Sequence, residues 1–111
     1  MADHYHDPAD LRFLKEMGKV APKEFGAWLA LDQIVGREDG AIPRKYRELI
    51  ALAVAYTTQC PYCIEVHTKA AKTAGASKEE LTEGVFIAAA LRAGAAATHG
   101  AMAFKFFEGD K

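Results

Sequence analysis

Apolar residues recur along this chain at helical rather than strand spacing, and proline and glycine divide the pattern into blocks. In "DPADLRFLKEMGK" Asp7 stands at an N-cap position. Pro8 follows at the first helical position, where its missing N–H costs nothing. Pro22 opens a second block through Val35 that carries Phe25, Trp28, Leu29, Leu31 and Ile34. "GREDGAIP" breaks it, and Pro43 starts a third over "RKYRELIALAVAYT". The apolar run Leu49 to Ala55 would also suit a buried strand, but the length from Pro43 to Thr57 selects a helix.

A fourth helix is predicted from Cys60 and Pro61 to a stop at Gly75. "SKEE" then reads as a capping box, Ser77 capping and Glu80 reaching back. The last helix is expected to run towards Phe107, with Gly94 and Gly100 as places to bend. The prediction is an all-α bundle of about five helices, compact and with short connections, forming one domain over residues 1–111.

Composition adds one qualification. Hydrophobic residues make up 50% of the 111, but many are alanine, which buries little area per residue. Such a thin core is expected to be completed by packing against copies of the same chain. The net charge of −1, from 14 basic and 15 acidic residues, leaves no basic footprint for nucleic acid. No uninterrupted apolar stretch approaches the roughly 20 residues that span a bilayer. The opening "MADHYHDPAD" lacks the pattern of a signal peptide. The expectation is a cytoplasmic protein without nucleic-acid or membrane partners, in a compartment where two cysteines are reactive rather than a structural staple.

Those cysteines lie in "CPYCIEVH", residues Cys60 to His67. Cys63 and His67 are four apart and stack on one helix face, with Cys60 about one turn earlier. Glu48 lies about ten residues before the turn at Thr58 and Gln59, and His67 about eight after it. At a rise of about 1.5 Å per residue the two stand level on antiparallel neighbours. The line Glu48, His67, Cys63, Cys60 is a chain of carboxylate, imidazole, thiol and thiol. A helix N-terminus beside an imidazole is expected to lower a cysteine pKa. His67 is the candidate base, Glu48 its orienting group, and Cys60 the thiol that closes a disulfide on oxidised Cys63. Exposure alone favours Cys60 as the attacking thiol and the neighbouring imidazole favours Cys63, so the order stays open.

Other readings compete. Cys60, Cys63, His67 and Glu48 are all zinc-ligand types, which allows a metal-binding or redox-sensing module, although the usual second ligand pair is missing. Haem attachment needs histidine directly after the second cysteine, where Ile64 stands. A thioredoxin fold needs strands, and none is predicted. Taken alone, Glu48 reads as a solvated helix residue beside Arg44, Lys45 and Arg47. Tyr62 and His99 are accessory candidates, Tyr62 reading first as packing and His99 as a buried, satisfied histidine. His4 and His6 read as surface residues, and Glu65 with Lys69 as an exposed ion pair.

The stretch "ELIALAVAYTTQCPYCIEVHTKAAKTAGASKEEL" resembles the AhpD-like alkylhydroperoxidases of the carboxymuconolactone decarboxylase superfamily, over about residues 22–94. Glu48, Cys60, Cys63 and His67 match that family's spacing without a gap. The resemblance implies an all-helical fold, homo-oligomers (commonly trimers or hexamers) and a thiol peroxidase or disulfide reductase driven by the cysteine pair; no cofactor and no metal is expected. It implies Cys63 as the peroxide-reacting residue, Cys60 as the thiol that meets an external dithiol or peroxiredoxin-like partner, and Glu48 with His67 as the proton relay. AhpD itself has a histidine where Tyr62 stands and is longer. The decarboxylase branch lacks the cysteine pair, which sets lactone decarboxylation below thiol redox chemistry as a reading of this chain.

Overall fold

The structure, a computed structural model, describes residues 6–109. A 3₁₀ turn, Pro8–Arg12, leads into α1 (Phe13–Val20), α2 (Pro22–Val35), α3 (Arg44–Thr58), α4 (Pro61–Thr73) and α5 (Lys78–Glu108), with no strand among the described residues. The predicted punctuation is where the helices start. Asp7 accepts from the Ala9 amide at 2.9 Å, and Asp10 accepts from the Asp7 amide at 3.0 Å. Ser77 and Glu80 form the reciprocal pair at the head of α5, at 2.9 and 3.0 Å. Gly75 follows α4 with φ +96°. The last helix continues through Gly94 and Gly100 as one element of 31 residues.

α3 is the element around which the others are arranged: α4, α5 and α2 all pack on it. α4 returns antiparallel after Gln59, which takes the left-handed conformation (φ 58°, ψ 45°) and closes the hairpin. α5 runs parallel to α3. Lys45 Nζ meets Glu80 Oε2 at 3.0 Å near their starts, and Arg92 Nη1 donates to the Thr57 carbonyl at 3.3 Å near the end of α3. The Lys45 ammonium and the Ser77 amide hold the Glu80 carboxyl below its ordinary pKa, the amide contributing more. Between these helices lies a small core of Leu52, Ala55, Ala71 and Ala88.

Past Arg92, α5 overhangs the end of α3. Ala93 to Glu108 would extend about 24 Å at the α-helical rise, and every residue along it is exposed. Phe104, Phe106 and Phe107 are 74, 69 and 93% exposed. The hairpin of α1 and α2 also leaves apolar groups in solvent, including Met17, Trp28 and Leu31. The radius of gyration is accordingly 18.5 Å, against about 13 Å for a self-contained domain of this length. By length and composition α5 is able to cross a bilayer, with a stretch of mean hydropathy 1.2 that is 6% buried. Its apolar run is not unbroken, because Arg92, Thr98 and His99 interrupt the alanines.

Leu52 is 1% exposed and is the largest apolar side chain in the core. Leu52→Ala is expected to lower the unfolding free energy by about 2–5 kcal/mol in urea titration. A loss under about 1 kcal/mol would show that the core does not depend on this side chain.

Candidate active site

The α3–α4 hairpin brings Glu48 and His67 together as their heights require: Nδ1 lies 2.6 Å from Oε1. Glu48 is 2% exposed, and it is the buried charged residue among those described. Its solitary reading as a solvated helix residue is therefore corrected. A carboxylate removed from water needs partners for both oxygens. Oε1 accepts from His67, and Oε2 accepts from Arg44 Nε at 3.0 Å, one turn earlier on α3. A carboxylate oxygen only accepts, so the hydrogen of this contact is on Nδ1, and Nε2 has no partner among the described residues. Gly36 closes over the pair: a Cβ there would lie 3.2 Å from Oε2 and 3.3 Å from Arg44 Nε.

Cys60 is the N-cap of α4, and its Sγ accepts from the Cys63 amide at 3.2 Å. Both cysteines are free thiols and half-buried. The expectation that the helix start would depress the Cys63 pKa does not hold, for the Cys63 thiol is pushed up to about 11. Burial is the largest cause, followed by the hydrogen bond and charge of Cys60, then the negative charge of Asp32 on α2. The Cys63 amide, which also donates to Cys60 Sγ, lowers the Cys63 pKa, but by less than burial, Cys60 and Asp32 raise it.

Cys63 and His67 open onto a cleft of about 430 Å³. Val35, Ile42, Ile50, Ala51, Val54 and Ala55 form its apolar wall, and Arg47 and Thr58 supply the other polar groups. Cys63 lines this cleft and Cys60 does not. Among the described residues no three His, Cys, Asp or Glu side chains group tightly enough to hold a metal ion, so the zinc reading finds no ligand set.

Tyr62 points away from this chemistry. Its hydroxyl donates to Asp10 Oδ2 at 2.8 Å, tying the Pro8–Arg12 turn to the head of α4 and holding the Asp10 carboxyl below its ordinary pKa. His6 packs edge-on against the Tyr62 ring, with centroids 5.3 Å apart, so it is half-buried rather than a plain surface residue. His4 lies outside the described residues. His99 is exposed on α5, not buried, and its Nδ1 is 3.0 Å from the Ala95 carbonyl. The Glu65–Lys69 pair forms as expected at 3.0 Å. Sequence reasoning missed Arg44 as a partner of Glu48, Gly36, Asp32 and the place of Arg47 in the cleft. Only Arg44 had a usable signal, its position four residues before Glu48.

These features define an all-helical protein with a dithiol at a helix start, backed by a buried carboxylate–imidazole pair. The model of the carboxymuconolactone decarboxylase family matches residues 22–105, and the chain belongs to that family. It is 48% identical over 86 residues to "uncharacterized protein 4 in cox locus" of Paracoccus denitrificans, spanning 78% of this chain and 77% of that one. An uncharacterized protein of Haemophilus influenzae is 46% identical over 56 residues, 50% of this chain and 49% of the other. A crystal structure of an apo carboxymuconolactone decarboxylase family protein from Legionella pneumophila superposes with a TM-score of 0.67 at 32% identity, covering 90% of this chain and 88% of that one.

Arg44→Met leaves Glu48 Oε2 buried without its donor and is expected to lower the unfolding free energy by roughly 2 kcal/mol. An unchanged urea midpoint would show that Oε2 has found another partner. Because the Cys63 pKa is raised from 9.0 to about 11, the folded state favours the protonated thiol. That contribution to stability is present below pH 9 and lost as pH climbs through 11. Site-resolved alkylation of Cys63 should accelerate across the same window, and Asp32→Asn should shift the curve to lower pH. A midpoint at or below 9.0 would refute the buried, charge-opposed thiol.

Proposed function

We propose that the protein is a thiol oxidoreductase that reduces organic hydroperoxides, or disulfides, through Cys63 and Cys60. The observation that carries this reading is Cys63 in an apolar cleft beside an imidazole whose other nitrogen is held at 2.6 Å by a buried carboxylate. With its pKa near 11, Cys63 is a thiol at neutral pH, so the thiolate is made during attack rather than stored. His67 Nε2 takes the thiol proton as Sγ attacks one oxygen of the hydroperoxide. The O–O bond breaks, Sγ–O forms, and the departing alkoxide takes the proton from His67 as an alcohol. Cys60 then attacks the sulfenic sulfur, the S–S bond forms, and hydroxide leaves as water with the Cys60 proton. One hydroperoxide and two thiols give alcohol, water and a disulfide. An external dithiol, in a cytoplasmic setting that keeps such donors reduced, returns the pair to its starting state.

Access supports this order of the cysteines, since Cys63 lines the cleft and Cys60 caps the helix outside it. The same reading includes a homo-oligomer. The aromatic end of α5 and the α1–α2 hairpin carry apolar area that a single chain leaves in water, and copies of the chain would cover it.

Reduced protein mixed with one equivalent of organic hydroperoxide should lose two hydrogens by intact mass. Cys60→Ser should instead accumulate a sulfenic acid at Cys63, and Cys63→Ser should consume no peroxide. A sulfenic acid trapped only in Cys63→Ser would reverse the two roles, and two inert thiols would reject the reading.

A further inference from the structure

Arg47 is the one strongly charged group on the wall of the thiol cleft. On α3 it begins a stripe with Ala51, Val54, Ala55 and Thr58, at helical spacing along one face. The Cys63 end of α4 lies against the far end of that stripe, because the hairpin pairs His67 with Glu48 and closes after Thr58. From Arg47 to Ala55 the α-helical rise amounts to about 12 Å. The cleft therefore has a cation at one end, an apolar floor, and a thiol with its base at the other.

The guanidinium is fixed in place but not neutralised. Nε donates to the Ile42 carbonyl at 2.9 Å, and Nη1 to the carbonyls of Ile34 and Val35 at 3.2 and 3.3 Å. These contacts cap the last turn of α2 and hold the side chain in one rotamer. Nη2 has no acceptor among the described residues and lies against Gly40, where a Cβ would collide with it. No carboxylate among the described residues forms an ion pair with Arg47. Arg44, three residues earlier, is by contrast paired with Glu48 and with Glu38. A cation held by neutral carbonyls at the edge of an apolar cleft keeps its attraction for an anion, and the low-dielectric wall strengthens that attraction.

We infer that Arg47 sets substrate specificity: the cleft takes an amphipathic anion, a medium-chain hydroperoxide or disulfide with a carboxylate. The carboxylate is bound at the Arg47 guanidinium, and the chain lies over Ala51 and Val54 with its reactive group at Cys63. This rests on the thiol oxidoreductase reading and names its substrate class. Arg47 touches no reacting atom, so its contribution falls on binding.

The test compares a medium-chain ω-hydroperoxy carboxylic acid with its methyl ester on the full-length wild-type protein. The acid should be favoured in kcat/KM by roughly tenfold, the size of one charge-assisted contact. The preference should lie in KM and shrink as salt is raised. In Arg47→Gln the acid-to-ester ratio should fall towards one. A wild-type ratio near one at low salt overturns the inference while leaving the peroxidase reading intact, and that arm needs no variant to fold. If neither compound is consumed, the peroxidase reading fails, and the anchor is judged by protection. Octanoate should then slow alkylation of Cys63 more than methyl octanoate does, and equal protection overturns the assignment.

Discussion

The buried carboxylate of Glu48 is the constraint on which the site depends. Removing an ion from water costs on the order of several kcal/mol even after relaxation, and Glu48 is 2% exposed. That cost is tolerable only because Arg44 and His67 meet the two oxygens with hydrogen bonds of 3.0 and 2.6 Å. The requirement fixes the geometry of three segments. α3 must present Arg44 and Glu48 on one face, α4 must return at a height that places His67 opposite, and Gly36 must leave room above the pair. The tight turn at Gln59 sets the height of α4.

This clamp fixes the orientation of the His67 ring, which lines the cleft together with Cys63. Cys63 lies one helical turn earlier on α4, four residues before His67, and both line the cleft. The thiol is nevertheless held in its protonated form by burial, by Cys60 and by Asp32. In the proposed reaction this places the proton transfer in the encounter with substrate. An apolar ligand that displaces water from the cleft would make the base more effective there. In that proposed reaction the raised pKa and a base at His67 are complementary, since a thiol that ionised freely would leave the base little to do.

The head of α4 is also braced by the N-terminal turn. Tyr62 lies between the two cysteines, and its hydroxyl is committed to Asp10, so the residue between the cysteines serves the scaffold. At the other extreme, α5 is attached to α3 only as far as Arg92 and then continues alone. A helix this long with so little burial is consistent with the proposed assembly of several copies.

Helix boundaries and the Glu48–His67 pair beside the Cys60–Cys63 dithiol were legible in the sequence because both rest on local rules. Prolines, the Asp7 and Ser77 caps and the helical period act over a few residues. Glu48, Cys60, Cys63 and His67 lie on two consecutive helices joined by a short turn, so rise per residue was enough to align them. What the sequence could not reveal depends on contacts across the fold. Burial of Glu48, the charge of Asp32 on Cys63, the exposure of His99 and the capping of α2 by Arg47 arise where distant segments meet. The same pattern of residues would read alike with Cys63 in water or in an apolar cleft. Only the tertiary structure decided which, because a thiol's pKa follows from the solvent and charges around it rather than from its neighbours in the chain.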